Sequence, residues 1–174
     1  MMRIPQRFHT EFSTAAGFIF RGTLSVAPES HAAPADFAAP RLWLRVHPEC
    51  GVAARDEVTD EQGRRFLLAE HELAGTVYRA FKAFPLTHQV SWQRMSTVVD
   101  ALTQLPKSTT PAELGPIWVL RDPKARVFVD LQTHISPNTQ TIVTGQAIAL
   151  NDTIDGKVIK RLNPVLGVFL AECE

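Results

Sequence analysis

The chain has 174 residues, a hydrophobic fraction of 45%, and a formal net charge of zero from 18 basic and 18 acidic side chains. This length fits one domain, or one domain with a sizeable appendage, and the hydrophobic fraction is sufficient for a core. The balanced charge argues against a general nucleic-acid binder, which needs a surplus of Lys and Arg, and it suits a protein that self-associates or docks.

The first predicted element is a strand at Gly17–Val26, followed by the Ala- and Pro-rich stretch Ala27–Pro40. Proline removes backbone donors and stiffens the chain, and Phe37 is almost the only side chain there with much surface to bury. We therefore expect a long extended loop over residues 27–40, which is either an assembly arm or a plain surface loop. The alternation of Arg41–His47 then predicts a half-buried strand.

Three further segments have strand-like patterns. Val58–His71 predicts a hairpin whose turn, DEQG at residues 60–63, places glycine where a positive φ is favoured. Leu73–Phe84 fits both helical and strand spacing, and its β-branched and aromatic residues favour a strand. Gln89–Met95 alternates with period two and predicts another strand.

The next segment differs. The apolar spacing of Ser96–Leu105 predicts a short helix that is capped by Ser96 and stopped by Pro106. Residues 107–116 are expected to form a linker. Residues 117–174 then predict several short strands and a hairpin turn at Asp155-Gly156, because type I′ turns need two residues that tolerate positive φ.

Many short strands at regular spacing predict a mainly β protein, a small β-barrel or sandwich with the long Ala/Pro-rich loop and one short helix. In this interpretation residues 1–106 form a barrel-like region that carries the loop at 27–40, and residues 107–116 link it to the remainder. Residues 117–174 form C-terminal β hairpins, which are either an added subdomain or part of the same domain.

The sequence lacks the common signatures of catalytic and cofactor sites. GxGxxG, GxxxxGK[ST] and GxSxG motifs are absent, and no two of the six histidines have the i,i+2 or i,i+4 spacing that presents two ligands to one metal. We therefore expect no catalytic residue, no metal and no cofactor, and a protein that is not an enzyme. A small enzyme or ligand-binding barrel is the lesser alternative, and its site would involve Glu70, His71, His88 and His134.

Targeting and redox features are equally plain. The start, MMRIPQRFHTEF, has no apolar signal-peptide core, and the longest apolar run, near Val165–Ala171, is shorter than the roughly 20 residues that span a bilayer. Cys50 and Cys173 form neither a CxxC pair nor a zinc spacing, so we expect two reduced thiols. The chain is therefore expected to be made in the cytosol and to have no membrane partner.

Charged residues cluster around the predicted hairpin turn. A catalytic carboxylate pair needs one buried acid and one ionised acid, so a charged hairpin tip with compensating arginines is the simpler interpretation. Opposite charges on one hairpin suit head-to-tail contacts between identical neighbours. The predicted interface residues are Arg55, Asp60, Glu61, Arg64 and Arg65 of the hairpin region, with Pro28, Pro34, Phe37 and Pro40 of the loop.

Two segments together, DEVTDEQGRRFLLAE at 56–70 and VYRAFKAFPLTHQVSWQR at 77–94, resemble the head-closure (stopper) and head–tail connector proteins of tailed phages. In that family a strand of the form Asp-x-Val, here Asp56-Glu57-Val58, precedes a turn whose glycine matches Gly63 and a strand that matches Arg65–Ala69. The family also inserts a long loop between barrel strands, to which Ala27–Pro40 would correspond. The resemblance does not extend to the strands from Ile117 onward.

The resemblance implies a structural virion subunit that forms a homo-oligomeric ring in the phage neck between portal and tail and completes or closes the head. Its partners would be portal or adaptor proteins and tail proteins, with non-specific contact to packaged DNA. It would be made in the host cytoplasm and would end in the virion. Another virion β protein, such as a tail-tube, tail-terminator or decoration subunit, is the alternative.

Overall fold

A computed structural model describes residues 9–26, 42–70, 78–121, 140–165 and 167–174. These ranges contain twelve strands and no helix, so none of the described segments is a helix able to cross a bilayer. The strands are β1 (Thr10–Thr14), β2 (Ile19–Val26), β3 (Leu42–Val46), β4 (Glu57–Asp60), β5 (Arg65–Glu70), β6 (Arg79–Leu86), β7 (His88–Val99), β8 (Pro106–Arg121), β9 (Gln140–Thr144), β10 (Thr153–Ile154), β11 (Lys157–Val165) and β12 (Val168–Cys173).

The first six strands close into an antiparallel barrel in the order β1-β2-β3-β6-β5-β4. Its interior contains an aromatic group in which Phe12 stacks on Phe20 with ring centroids 5.6 Å apart, and Phe66 meets Phe12 edge-on. The other buried residues of this core are aliphatic or aromatic: Leu44, Val46, Val52, Val58, Leu68, Phe81 and Ala83. The predicted mainly β fold with a barrel is confirmed.

The last six strands close into a second antiparallel barrel in the order β10-β11-β12-β9-β8-β7. Its core residues are Val90, Ile117, Val119, Ile142, Ile148, Ile154, Ile159, Ala171 and Cys173. β6 ends at Leu86 and β7 begins at His88, so the chain passes from one barrel to the other at Thr87. Residues 107–116, predicted to be a linker, instead lie within β8.

A third apolar layer joins the two barrels. In β5, Phe66 and Leu68 face the first core, whereas Leu67 and Ala69 point outward into this shared layer, because successive side chains of a strand alternate between its faces. Strands of the second barrel alternate in the same way. The shared layer consists of Leu67, Ala69, Phe84 and Leu86 from the first barrel and Leu120, Val143, Val168 and Leu170 from the second, with Trp118 packed beside them.

Arginines from the first barrel border this layer. The Arg55 Nε donates to the carbonyl of Gly167, and its guanidinium lies 4.9 Å from the ring centre of Phe169. The guanidinium of Arg65 lies 4.7 Å from the ring centre of Trp118. Cation–π contacts of this kind add electrostatic attraction to the apolar burial. Together these contacts set how the second barrel sits against the first.

Both predicted hairpin turns are confirmed. The turn between β4 and β5 has Gly63 at φ +77°, and the Gly63 N–H donates to the Asp60 carbonyl over 2.9 Å. The turn between β10 and β11 has Asp155 at φ +48° and Gly156 at φ +78°, the two positive values that a type I′ turn requires. β1 was not predicted, and the Ala/Pro-rich loop at 27–40 lies outside the described residues.

The predicted helix at Ser96–Leu105 is wrong. β7 continues to Val99, residues 100–105 form a turn, and β8 begins at Pro106. The apolar spacing is helical, but in the described part of the chain these side chains are exposed and no described element covers them. The β-branched residues Thr97, Val98 and Val99 pair with β8 instead, as their strand preference allows.

The contact between the barrels can be tested at Gly145. A Cβ there would lie 2.7 Å from Leu67 Cδ1 and 3.0 Å from the Arg55 carbonyl oxygen, and Leu67 is fully buried and has little room to move. We expect Gly145→Ala to lower the free energy of unfolding by about 1–3 kcal/mol, as overpacking does. Urea denaturation followed by tryptophan fluorescence measures this.

Gly51→Ala is the matched control, because a Cβ at Gly51 meets nothing within 4 Å and its φ is not positive. This variant is expected to be neutral, or more stable by about 0.4–1 kcal/mol through the unfolded chain. Equal stability of the two variants would show that the barrels do not approach each other at Gly145.

Candidate interaction surface

The most prominent feature outside the barrels is a hairpin arm, defined here as residues 95–111. β10 pairs with β7 at Trp92 and Gln93 and no further along it, and from Met95 to Val99 β7 pairs with β8 alone among the described strands. Five paired residues extend about 17 Å at 3.3–3.4 Å per residue. The register shifts by one residue at Leu114, which follows the pair Gln93–Glu113 and precedes Gly115 at φ +102°, and such a bulge bends a strand where it leaves its sheet.

The arm buries little. Asp100 is half-buried, and every other residue from 95 to 111 is exposed. Several of these are large and apolar: Met95, Val98, Val99, Leu102, which is 96% exposed, and Leu105, which is 64% exposed. A two-stranded hairpin without a core is marginally stable in water, and contiguous exposed apolar side chains mark interaction sites. The arm is therefore the best candidate for a surface that binds another protein.

The turn at the end of the arm is well ordered by hydrogen bonds. Asp100 Oδ1 accepts from the N–H groups of Leu102 and Thr103, at 2.9 and 3.0 Å. The Asp100 N–H donates to the Leu105 carbonyl, and the Gln104 N–H donates to the Asp100 carbonyl. The backbone hydrogen bonds from Thr103 and Leu102 lower the pKa of Asp100 below its ordinary value. These bonds hold Leu102 at the apex.

Asp152, which is only 2% exposed, clamps the root of the arm to the second barrel. Its carboxylate accepts two hydrogen bonds from Arg94, Nε at 2.8 Å and Nη2 at 2.7 Å, in the bidentate arrangement that suits a guanidinium. It also accepts from Trp92 Nε1 and from the Ala149 N–H, both at 2.9 Å. Arg94 donates in addition to the Ala147 carbonyl at 3.0 Å.

These contacts determine the charge state of Asp152. Burial by itself raises the pKa of a carboxyl group, because it disfavours the ionised form. The hydrogen bonds from Arg94, Trp92 and Ala149, together with the positive charge of Arg94, outweigh that effect and leave the pKa of Asp152 below its ordinary value. The clamp is therefore an ionised pair at neutral pH.

A second aspartate, Asp155, binds β7 at Ser91, the residue before Trp92. Asp155 Oδ1 accepts from the Ser91 N–H at 2.8 Å, and the Asp155 N–H donates to the Ser91 carbonyl at 3.1 Å. Its other oxygen, Oδ2, accepts from Arg121 Nη2 at 2.7 Å. Burial raises the pKa of Asp155, but the hydrogen bonds from Ser91 and Arg121 bring it below its ordinary value.

The residues predicted for an interface fall into two groups. Asp60 is buried and shapes its own turn, accepting from the Arg64 N–H at 2.9 Å and from Arg64 Nε at 2.7 Å. Glu61 is exposed and accepts from the Glu11 N–H at 2.8 Å. Arg55 and Arg65 remain exposed in part, but each contacts the other barrel as described above.

Asp60, Glu61 and Arg64 therefore lie together at the β4–β5 turn, while Arg55 and Arg65 lie beside the shared layer. The predicted loop residues Pro28, Pro34, Phe37 and Pro40 lie outside the described residues.

The residues considered for an enzyme site are not brought together in the described part of the chain. His88 is exposed, and its Nδ1 lies 2.7 Å from Thr87 Oγ1. His71, His134 and the side chain of Glu70 lie outside what the structure describes. Within the described ranges, no group of three or more His, Cys, Asp or Glu side chains is placed to hold a metal ion. Cys50 and Cys173 are free thiols, and burial raises the pKa of Cys173 to about 11.

Sequence reasoning missed the arm, although two signals for it were present. The β-branched run Thr97–Val99 favours a strand, and the prolines at 106, 111 and 116 favour an edge position for any strand that contains them. No protein-family model, no curated protein and no solved structure matches this chain. The arm is therefore identified by geometry alone.

The clamp at the root of the arm can be tested with Asp152→Asn. The change removes the charge that partners Arg94, and we expect it to lower the free energy of unfolding at pH 7 by roughly 2–4 kcal/mol. Because the folded pKa of Asp152 is depressed, its contribution is present above the unfolded value of about 3.9 and is lost as the pH falls through the lower folded pKa. The variant should lack this part of the acid dependence.

Thermal unfolding between pH 2 and pH 7 gives both quantities. Asp100→Asn is the control, because it removes the same charge from the arm's turn, where an asparagine oxygen still accepts the backbone hydrogen bonds. A wild-type and an Asp152→Asn protein with parallel stability profiles would contradict the assigned ion pair.

Proposed function

We propose that this chain is a structural assembly subunit, not an enzyme, and that it docks to other proteins through the hairpin arm. The observation that carries this proposal is the exposure of apolar side chains along residues 95–111 on a hairpin with no core of its own. Such an element gains its stability in contact with a partner.

The rest of the molecule supports this use of the arm. Closure of each barrel pairs every described strand with two neighbours, so strand addition has little edge to use on the barrels themselves. The clamps at Asp152 and Asp155 fix the direction in which the arm leaves the second barrel. An arm that is already oriented loses less conformational entropy when it binds, so its apolar contacts are converted more fully into affinity.

We further propose that the assembly is the neck of a tailed phage, with the chain in a homo-oligomeric ring between portal and tail. The resemblance of residues 56–70 and 77–94 to head-closure and head–tail connector proteins supports this setting, and those segments supply strands to the first barrel. The partners would be portal or adaptor and tail proteins, and the subunit would pass from the host cytoplasm into the virion. The formal net charge of zero favours weak, non-specific contact with packaged DNA.

A second candidate is another virion β protein, such as a tail-tube, tail-terminator or decoration subunit. The observation that favours it is the second barrel, because the strands from Ile117 onward lie beyond the resemblance and yet supply β9 to β12 and part of β8. Localisation in the particle separates the candidates. Gold-labelled antibody against the chain should mark the neck of purified virions, whereas labelling along the tail or on the capsid would favour the second candidate.

The role of the arm is tested by replacing residues 95–111 with Asn-Gly, so that only these two residues connect Arg94 to Ala112. These two residues already face each other across β7 and β8, and Asn-Gly favours the type I′ turn that closes such a pair. We expect the variant to fold with an unchanged circular dichroism spectrum. Its affinity for portal, adaptor or tail proteins should fall by at least tenfold. Phage assembled with it should accumulate heads without tails.

The matched control is Leu102→Ser with Leu105→Ser, which keeps the arm and removes the two apolar side chains of its turn. It should weaken docking less than removal of the arm. Wild-type docking and normal particles from the arm-less variant would disprove the proposed role of the arm.

A further inference from the structure

The two outer edges of the arm are not equivalent. The Ser91 N–H and carbonyl both bind Asp155, so both backbone groups of Ser91 point away from β8. Backbone groups alternate in direction along an antiparallel strand, and the extra residues at both register shifts belong to β8, not β7. The N–H and carbonyl groups of Met95, Thr97 and Val99 therefore also point outward, along the edge of β7 that no described strand pairs with.

The prolines of β8 agree with this assignment. Pro116, Pro111 and Pro106 pair with Ser91, Met95 and Val99. Proline has no N–H to donate, so it is tolerated opposite residues whose backbone groups point away from the pair. As a result, the outer edge of β8 lacks a donor at three positions. The outer edge of β7 keeps every donor.

The β7 edge is also unusually uncharged for an exposed strand. Between Met95 and Val99 it carries two valines, a threonine, a serine and a methionine, and no charged residue or proline. Natural proteins protect such edges with charges, prolines or a covering element, because an unpaired edge recruits another strand. Within the arm β8 has prolines of this kind, whereas β7 has neither charge nor proline from Met95 to Val99 and no described element covers its edge.

We infer that the β7 edge from Met95 to Val99 pairs antiparallel with the same edge of a second copy of this chain. A register centred on Thr97 aligns the outward backbone groups of the two copies and places Met95 beside Val99 of the second copy. The same register sets Arg94 opposite Asp100 of the second copy, so no like charges are opposed. With a formal net charge of zero, two copies meet without long-range repulsion.

This contact joins the two arms into one four-stranded sheet, in which the central strands are the two copies of β7. An edge that pairs with itself is related by a two-fold axis, so the contact joins copies in pairs and closes there. A ring of subunits would need a second, head-to-tail surface in addition. The inference goes beyond the proposed function, because it holds for any assembly in which the arm can pair with the arm of a second copy.

Two proline substitutions in one cross-strand pair test it. Thr97→Pro removes an outward N–H from the β7 edge, whereas Thr109→Pro removes the corresponding N–H from the β8 edge opposite. Neither N–H points into the arm, so both variants should keep the hairpin, which far-ultraviolet circular dichroism checks. By size-exclusion chromatography with light scattering, the wild type and Thr109→Pro should share one mass and Thr97→Pro should show half of it.

Disulfide trapping gives a readout that does not depend on the proline variants. In a Cys50→Ser background, Thr97→Cys should form a covalent dimer on mild oxidation, because the two-fold register sets residue 97 against itself. Thr109→Cys, on the other edge, should not.

A monomeric wild type, equal masses for the two proline variants, or trapping through residue 109 instead of 97 would overturn the inference. If self-pairing fails while removal of the arm still abolishes docking, the arm binds a different protein and the proposed function stands.

Discussion

The apolar layer shared by the two barrels is the contact on which the rest of the structure depends. It exists because β5 and β6 bury both of their faces, with Phe66 and Leu68 in the first core and Leu67 and Phe84 in the shared layer. A barrel strand normally presents a polar face to water, so a continuous apolar run commits the strand to a neighbour on each side. β8, β9 and β12 of the second barrel supply the matching outward faces.

Much of the fold was predictable, because hydrophobic alternation and turn chemistry are local signals. The turns at Gly63 and Asp155 were predicted from residues that tolerate a positive φ, and the structure has both turns. The existence of two closed barrels was not predictable, since closure depends on pairings between strands far apart in the chain, such as β1 with β4 and β9 with β12. The boundary at Thr87 was equally hidden, because only one residue separates the two barrels.

The candidate surface shows why local periodicity misleads outside a core. Val98, Leu102 and Leu105 have helical spacing, and that pattern predicts a buried face only when something lies against it. In this chain they lie exposed on the arm, so the pattern arose from side chains that no described element buries. The charged hairpin tip was placed correctly in sequence, but Arg55 and Arg65 contact aromatic rings of the other barrel, which no local rule could indicate.

The clamp at Asp152 also makes the arm a lever. Any tension applied near Leu102 travels along β7 to Arg94, Trp92 and Ser91. It reaches the body of the molecule through the carboxylates of Asp152 and Asp155 and through the pairing of β7 with β10. Asp152 belongs to the connection between β9 and β10, and β9 contributes Val143 to the layer between the barrels. Mechanical load on the tip is thus transmitted to the shared apolar layer, so an external pull on the arm acts on both barrels.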